Sequence, residues 1–270
     1  MTVMSMGRRM KETELRQLVA DVVSDAASAP GGETRYRDPI VGFSGIDRDH
    51  FARLREAVPE HLMPGDLLPG ALGLVSYFLP FSRDVERANA RSEYVAREWA
   101  VAYVETNQLL TAIGERLVAA LAQRGVRAVA EAPTYVFDKK RLRAHWSHKS
   151  IAYMTGIGSF GLNRLLITDA GCAGRFGSLV VDVELSTDAT TRSERCLYYR
   201  NGSCGMCVKR CPVGALGNDG SFDGAGCYQH MLAADALFAD LPTTDVCGRC
   251  SVGLPCSLRN PVPAGPDSAH

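Results

Sequence analysis

The chain has no excess of charge of either sign and no long apolar run. Its 270 residues include 30 lysines and arginines and 30 aspartates and glutamates, so the formal net charge is zero. This balance gives no general reason to expect binding to nucleic acid or to an anionic membrane. Apolar runs such as residues 71–81 fall short of the ~20 residues that span a bilayer. No signal peptide opens the sequence. These absences predict a cytoplasmic protein with no membrane partner.

Cysteine, in contrast, is concentrated near the end of the chain. Eight of the nine cysteines lie between residues 196 and 256. Paired C-x2-C cysteines in a chain of this size indicate metal or redox chemistry more than a disulfide framework.

The segment Cys207-x3-Cys211-Pro212 matches the part of a two-cluster ferredoxin in which one cysteine crosses to the neighbouring [4Fe–4S] cluster. Such crossing predicts two interleaved sets of four thiolate ligands, with no cysteine of the eight left over. The first quartet is Cys196, Cys204, Cys207 and Cys256. The second quartet is Cys211, Cys227, Cys247 and Cys250.

Two positions depart from the ferredoxin pattern, and zinc is the alternative metal. Asn201 stands where the pattern has a cysteine, so Cys196 replaces that ligand, and five residues rather than three separate Cys250 from Cys256. C-x2-C pairs also form tetrahedral Zn–S4 sites. Zinc does not account for the crossing Cys211-Pro212 element, so the spacing favours iron–sulfur clusters.

About 190 residues precede the cysteine-rich segment and predict a larger α+β domain. Helical periodicity predicts helices over residues 11–28, 48–58, 92–124 and 141–154. Apolar β-prone runs predict strands over residues 72–81, 126–132, 165–169 and 178–185, whereas residues 33–49 are polar and turn-rich. We expect an α+β cofactor- or substrate-binding domain at 1–190, a two-cluster domain at 191–258 and a flexible tail at 259–270.

The motif GIGSFG at residues 156–161 matches G-x-G-x-x-G. A dinucleotide-binding fingerprint must follow a strand and open a helix, so that the pyrophosphate meets the helix N-terminus. Here a predicted helix precedes the motif and a predicted strand follows it. Gly156, Gly158 and Gly161 therefore predict a tight, closely packed turn.

Residues 145–149, with the sequence HWSHK, concentrate functional side chains in one predicted helix. Two histidines, an indole and a lysine can donate protons, stack on a flat cofactor or hold an anion. The alternative is a surface helix with a partly buried tryptophan. Within an enzyme we expect His148, with Lys149 or Tyr153 nearby, to supply protons, because an imidazole titrates near neutrality.

Two further features have ordinary structural explanations as well as functional ones. Trp99, Tyr103 and Asn107 are spaced four apart on a predicted helix, where they line a pocket or belong to the core. The ninth cysteine, Cys172, is expected to be a buried free thiol.

Three segments together resemble the epoxyqueuosine reductase and reductive dehalogenase superfamily. They are LLPG at 67–70, GIGSFGLNRLLIT at 156–168, and the double-cluster cysteines with CPVGAL at 211–216. The resemblance is closest to the short branch that lacks a C-terminal helical-repeat domain. It implies a nitroreductase-related N-terminal domain followed by a ferredoxin-like double [4Fe–4S] domain.

The resemblance also implies an oxidoreductase with a bound cobalamin. Electrons from a ferredoxin- or flavodoxin-type donor would pass through the clusters to cobalamin or to a directly bound substrate, which is a small molecule or a modified nucleoside. The residues implied to contact the cobalamin are Trp146, Gly156, Gly158, Gly161 and Asn163. The alternative function is a ferredoxin-type electron carrier without a catalytic site of its own.

One departure from the family concerns the proton donor. The reductases carry an acidic residue in an Asp-Ser-Ala-Pro-like stretch, whereas this chain has Phe137-Asp138-Lys139-Lys140 at the related place. Asp138 is therefore a candidate beside His148, and neither the epoxide substrate nor the tRNA partner transfers directly.

Overall fold

The computed structural model describes residues 10–132, 137–138, 142–187 and 193–262. Its helices are α1 (Glu12–Ser28), α2 (Arg48–Ala57), α3 (Pro64–Leu67), α4 (Arg83–Arg91), α5 (Arg97–Ala122), α6 (His148–Met154), α7 (Leu197–Asn201), α8 (Met206–Arg210) and α9 (Gly224–Asp235). Its strands are β1 (Ile40–Gly45), β2 (Gly73–Pro80), β3 (Ala128–Ala130), β4 (Phe137–Asp138), β5 (Arg143–Ala144), β6 (Gly158–Phe160), β7 (Leu166–Thr168) and β8 (Gly174–Val181). The expected domain boundary at residue 190 and residues 263–270 of the expected tail lie outside the described residues.

Strand β2 lies inside a four-stranded antiparallel sheet with the order β1-β2-β8-β3. All eight of its residues are buried. Because successive side chains point to opposite faces of a sheet, Val75 and Tyr77 pack with α1 and α5, and Leu74 and Phe78 pack on the side of α2 and α6. The sheet is therefore the middle of three layers, which explains why β2 is apolar throughout.

Helix α5 packs against one face of this sheet. Leu110, Ile113, Leu117 and Leu121 recur every three or four residues and are at most 2% exposed. Burial of each such side chain stabilises the fold by about 1.5–3 kcal/mol relative to exposure. Within the described part of the chain, no helix is both long and apolar enough to cross a bilayer.

The cysteine-rich segment is anchored to residues 10–187, which we call the platform, chiefly through α4. Asn89 Nδ2 donates a hydrogen bond of 3.0 Å to the Cys247 carbonyl. The Glu86 carboxylate accepts one of 2.6 Å from the Gly253 amide, and Arg249 Nη1 donates one of 2.7 Å back to the Asn89 carbonyl. These bonds place one loop of the predicted second quartet directly against the platform.

The helices predicted over residues 11–28 and 48–58 and the strand over 72–81 are confirmed. Two expectations are wrong. Residues 33–49 contain β1, a strand with little apolar pattern of its own that is ordered by pairing with β2. The helix expected from residue 141 begins at His148, because Ser147 caps it by accepting a hydrogen bond of 3.2 Å from Ser150 N.

Candidate functional site

The first quartet lines a single cavity. This space is partly open to solvent, and its wall contains all four cysteines together with platform residues such as Leu162. Burial, and then the nearby Cys256, Cys196 and Cys204, raise the pKa of Cys207 to about 11. The structure thus brings together four cysteines that span 60 residues of sequence.

The other three members of the second quartet lie near Cys250. Burial, and then Cys247, Cys227 and Cys211, raise the pKa of Cys250 to about 12. Cys207 adds a smaller contribution to this shift, so the two quartets lie next to one another. Cys207 and Cys250 therefore each have members of their own predicted set as nearby charged groups.

These donor sets fit iron–sulfur clusters. Thiolates are ligands of soft metals, and four cysteines hold a [4Fe–4S] unit by binding separate irons around its volume. The four cysteines of the first quartet line one such space. Ala215 N donates a hydrogen bond of 3.2 Å to Cys211 Sγ, a type of contact that tunes cluster potentials. Among the described residues, no three histidine, cysteine, aspartate or glutamate side chains lie close enough to hold a single metal ion.

Two short helices position three of the ligands. Helix α8 carries Cys207 and ends immediately before Cys211. Asp223 caps α9 by accepting a hydrogen bond of 2.9 Å from Gly226 N, and Cys227 follows in the first turn of that helix.

The turn between Cys247 and Cys250 depends on Gly248. Its φ is +72°, in the left-handed region, and an added Cβ would lie 2.3 Å from the indole of Trp99. Glycine alone combines this backbone conformation with so close an approach. Trp99, 5% exposed, is thus part of the core that supports the second quartet.

A polar group on the platform adjoins this turn. Arg175 of β8 donates from Nη2 to Asn107 Oδ1 over 2.7 Å and lies over the Tyr103 ring at 4.5 Å. The Tyr103 hydroxyl donates to Asp245 Oδ1 over 2.7 Å. We call Arg175, Tyr103, Asn107 and Asp245 the Arg175 site. The Arg175 site joins α5, β8 and the segment leading to Cys247. The guanidinium group of Arg175 is suited to bind an anionic or oxygen-rich group.

His148 lies at the start of α6 with Nδ1 2.8 Å from Ser178 Oγ. Trp146 Nε1 donates to the same oxygen over 3.0 Å, so the Ser178 hydroxyl links the indole and the imidazole. Burial, and then Arg175, lower the pKa of His148 to about 4. The expected titration near neutrality is therefore wrong, and proton transfer by a neutral His148 stays a prediction.

Lys149 is a platform residue that lies near the second quartet. Its Nζ donates to the Arg164 carbonyl over 3.2 Å. Burial lowers the pKa of Lys149, and the nearby Cys250 opposes that shift. Its ammonium group is therefore within range of a charge interaction with the second quartet.

The other two predicted catalytic residues occupy different surroundings. The Tyr153 ring, near the end of α6, lies 5.4 Å from the ring of His50 and 5.8 Å from that of Phe160. Asp138 lies in β4, paired with Arg143 of β5, and its side chain is outside the described part of the structure. The catalytic roles of Tyr153 and Asp138 stay predictions.

The residues expected to contact cobalamin are engaged inside the protein. Trp146, 6% exposed, stacks on Phe51 with ring centroids 6.2 Å apart. Gly156 follows α6 with φ +79°. A Cβ at Gly158 or Gly161 would lie 2.7 or 2.8 Å from atoms of the same β6–β7 hairpin, as the predicted tight turn requires. These residues do not fit a corrin-binding surface. Asn163, the fifth of them, is also buried and donates to the Cys250 carbonyl over 2.9 Å.

Sequence reasoning missed Arg175 and Ser178. The available signal for Arg175 was a charged residue flanked by glycines at the start of an apolar run, in Gly174-Arg175-Phe176-Gly177. The four members of the Arg175 site span more than 140 residues, and only the fold reveals that they meet.

No protein-family model and no curated protein matches the chain, but solved structures do. The epoxyqueuosine reductase of Streptococcus thermophilus matches over 95% of this chain and 69% of its own, with 18% identity and a TM-score of 0.59. An epoxyqueuosine reductase with an epoxyqueuosine-modified tRNA stem loop matches over 82% and 58%, with 18% identity and a TM-score of 0.53. A catabolic reductive dehalogenase matches over 93% and 37%, with 14% identity and a TM-score of 0.56.

These likenesses define the class of fold. The resemblance to the epoxyqueuosine reductase and reductive dehalogenase superfamily is confirmed at the level of architecture, and it extends over both the platform and the cysteine-rich segment. The chain spans 58% to 69% of the two reductases and little more than a third of the dehalogenase.

Proposed function

We propose that the protein is an oxidoreductase in which two [4Fe–4S] clusters connect an external electron donor to a reduction site on the platform. The observation that carries this proposal is the grouping of eight cysteines into two sets, the second of which adjoins the Arg175 site. In the proposed organisation, residues 1–190 form a nitroreductase-related domain, 191–258 a ferredoxin-like domain and 259–270 a flexible tail.

The proposed direction of electron flow follows from the surroundings of each quartet. The first quartet lines a cavity that is partly open to solvent, where a ferredoxin- or flavodoxin-type donor has access. The second quartet is next to Lys149 and, through Asp245, to Tyr103. When bound, the clusters would supply one-electron transfer from the solvent-open side of the first quartet to the platform residues beside the second quartet.

The platform residues have separate roles at the reduction site. Arg175 binds an anionic or oxygen-rich part of the substrate, and Asn107 and Tyr103 hold its guanidinium in place. His148 is neutral at pH 7, because its pKa is lowered to about 4, so it takes part at the reduction site as an uncharged hydrogen-bonding group. Lys149 offers positive charge between this site and Cys250.

The substrate class is a small molecule or a modified nucleoside, handled in the cytoplasm. One of the similar reductases was solved with an epoxyqueuosine-modified tRNA stem loop. That RNA is therefore a candidate substrate for this chain as well. The neutral overall charge means that RNA binding would depend on local basic groups rather than on the field of the whole protein.

The enzyme is favoured over a plain electron carrier. A carrier needs only the small cluster-bearing module, whereas the likeness to reductases extends across the platform. Cobalamin is retained only as a candidate acceptor, because Trp146, Gly158 and Gly161 do not fit a corrin-binding surface. We assign no residue and no reaction step to it.

The experiment that tests the proposal is reoxidation of the anaerobically reduced protein. Cob(II)alamin and a stem loop carrying epoxyqueuosine are added separately while cluster absorbance is followed. We expect one of them to reoxidise the clusters. If the stem loop is the acceptor, Arg175→Gln should abolish the reoxidation without changing iron content. Arg116→Gln, at an exposed position on α5, is the matched control. Equal rates in both variants would contradict the assigned site, and the absence of any iron would contradict the proposed function.

A further inference from the structure

Buried asparagines of the platform hold both ends of the turn between Cys247 and Cys250. Asn89 Nδ2 donates a hydrogen bond of 3.0 Å to the Cys247 carbonyl. Asn163 Nδ2 donates one of 2.9 Å to the Cys250 carbonyl. Both asparagines are buried. This turn of the second quartet therefore has a defined place against the platform, and a platform side chain beside it keeps a fixed relation to the two cysteines.

The middle of the turn lies against the indole of Trp99. An added Cβ at Gly248 would lie 2.3 Å from the ring carbon Cε2 and 2.4 Å from Nε1. The nitrogen of the ring is thus among the indole atoms nearest to the turn. Trp99 is buried, and among the described residues its Nε1 has no hydrogen-bond partner. Because an indole N–H can only donate, this group needs an acceptor.

The carbonyl groups of the turn are largely engaged with other donors. Those of Cys247 and Cys250 accept from the two asparagines. The Gly248 carbonyl accepts from Ser251 N over 2.9 Å and from Ser251 Oγ over 2.8 Å. The indole also packs against apolar side chains, with the Phe81 ring nearly perpendicular at 5.1 Å. A buried donor without an acceptor destabilises a protein, so this N–H fits a site in which the two cysteines hold an additional acceptor.

We propose that the Trp99 indole donates a hydrogen bond from Nε1 to a sulfur of the second cluster and thereby raises the reduction potential of that cluster. This inference rests on the proposed function. Cluster sulfurs accept hydrogen bonds, and such a bond stabilises the extra negative charge of the reduced state. The bond makes the second cluster a better acceptor for single electrons from the first, in the direction of the Arg175 site.

The two tryptophans of the chain provide a matched pair of variants. Trp99→Phe and Trp146→Phe each remove an indole N–H and keep an aromatic ring. The N–H of Trp146 is already paired with Ser178 Oγ, and this residue packs in a separate part of the core. A redox titration of the full chain, followed by electron paramagnetic resonance, measures the potential of each cluster. Cys250→Ser identifies the signal of the second cluster.

A second measurement detects the bond itself. The full chain is prepared with isotope-labelled indole nitrogens, and electron–nuclear double resonance of the reduced protein measures the coupling between an indole nitrogen and a cluster. We expect this coupling in wild type and in Trp146→Phe, and its loss in Trp99→Phe. We also expect Trp99→Phe to keep its iron and to shift the potential of the second cluster to a more negative value, whereas Trp146→Phe leaves that potential in place.

Three results would overturn the inference while leaving the proposed function intact. They are a reduced wild-type protein with both clusters but no indole coupling, a coupling that disappears in Trp146→Phe, and an unchanged second-cluster potential in Trp99→Phe. If Trp99→Phe does not fold or loses its second cluster, the coupling in wild type and in Trp146→Phe decides the question. A wild-type protein without iron would instead overturn the proposed function, and the inference with it.

Discussion

The hydroxyl of Tyr103 donates a hydrogen bond of 2.7 Å to the carboxylate of Asp245, two residues before Cys247. This bond joins the long helix of the platform to the segment that carries the second quartet. Burial raises the pKa of Tyr103, which keeps the phenol protonated and able to donate. The contact therefore connects the proposed reduction site to the segment that carries Cys247.

Replacement of Tyr103 by phenylalanine should weaken this junction. The ring and its packing against Arg175 remain, but the partly buried Asp245 carboxylate loses its donor. A hydrogen bond to a charged group contributes about 1.5–3 kcal/mol, so we expect a stability loss of that order, measured by denaturant unfolding under anaerobic conditions. Tyr199→Phe, at a ring that is half exposed, is the control. Equal losses in the two variants would contradict the role given to this bond.

The lowered pKa of His148 predicts a defined pH dependence of stability. Its pKa is about 4 in the folded protein, against an ordinary value of 6.5. The unfolded chain therefore binds the additional proton first as the pH falls. Its contribution to stability is complete above pH 6.5 and decreases from there toward pH 4, by an amount on the order of 1–3 kcal/mol.

His148→Gln should remove this dependence. We expect the difference in unfolding free energy between wild type and variant to change between pH 7 and pH 4.5, with wild type losing more. The same burial predicts a reaction rate without an inflection from His148 near pH 6.5. Parallel stability curves for the two proteins would show that His148 titrates normally in the folded state.

Sequence reasoning succeeded where the information is local. The apolar run of β2 suffices to predict a buried strand. The Cys207-x3-Cys211-Pro212 spacing predicts two sets among the eight cysteines, and the four members of the first set line one cavity. It failed for β1, whose order comes from pairing with β2. It also failed for the Arg175 site and for the pKa of His148, because both depend on side chains brought together or buried only by the tertiary fold.

Gly248 predicts a selective effect on the second cluster. Gly248→Ala introduces a side chain at φ +72° and within 2.3 Å of Trp99. Gly202→Ala is a matched control, since Gly202 has the same φ and an added Cβ there would meet open space. Both variants bear the backbone strain of about 1–2 kcal/mol. Only Gly248→Ala should also lose about four irons per chain, as measured by iron and sulfide analysis. Full iron content in Gly248→Ala would contradict the assignment of this turn to a cluster.

The most direct test of the account is the iron and acid-labile sulfide content of the anaerobically prepared protein, measured beside two single variants. Two [4Fe–4S] clusters would give about eight irons and eight sulfides per chain. Cys196→Ser should remove or weaken one cluster, because Cys196 lies in the wall of the first-quartet cavity. Asn201→Ala should leave both in place, although Asn201 occupies the position at which ferredoxins carry a ligand. Bound zinc without iron, or loss of iron from Asn201→Ala with none from Cys196→Ser, would contradict the account.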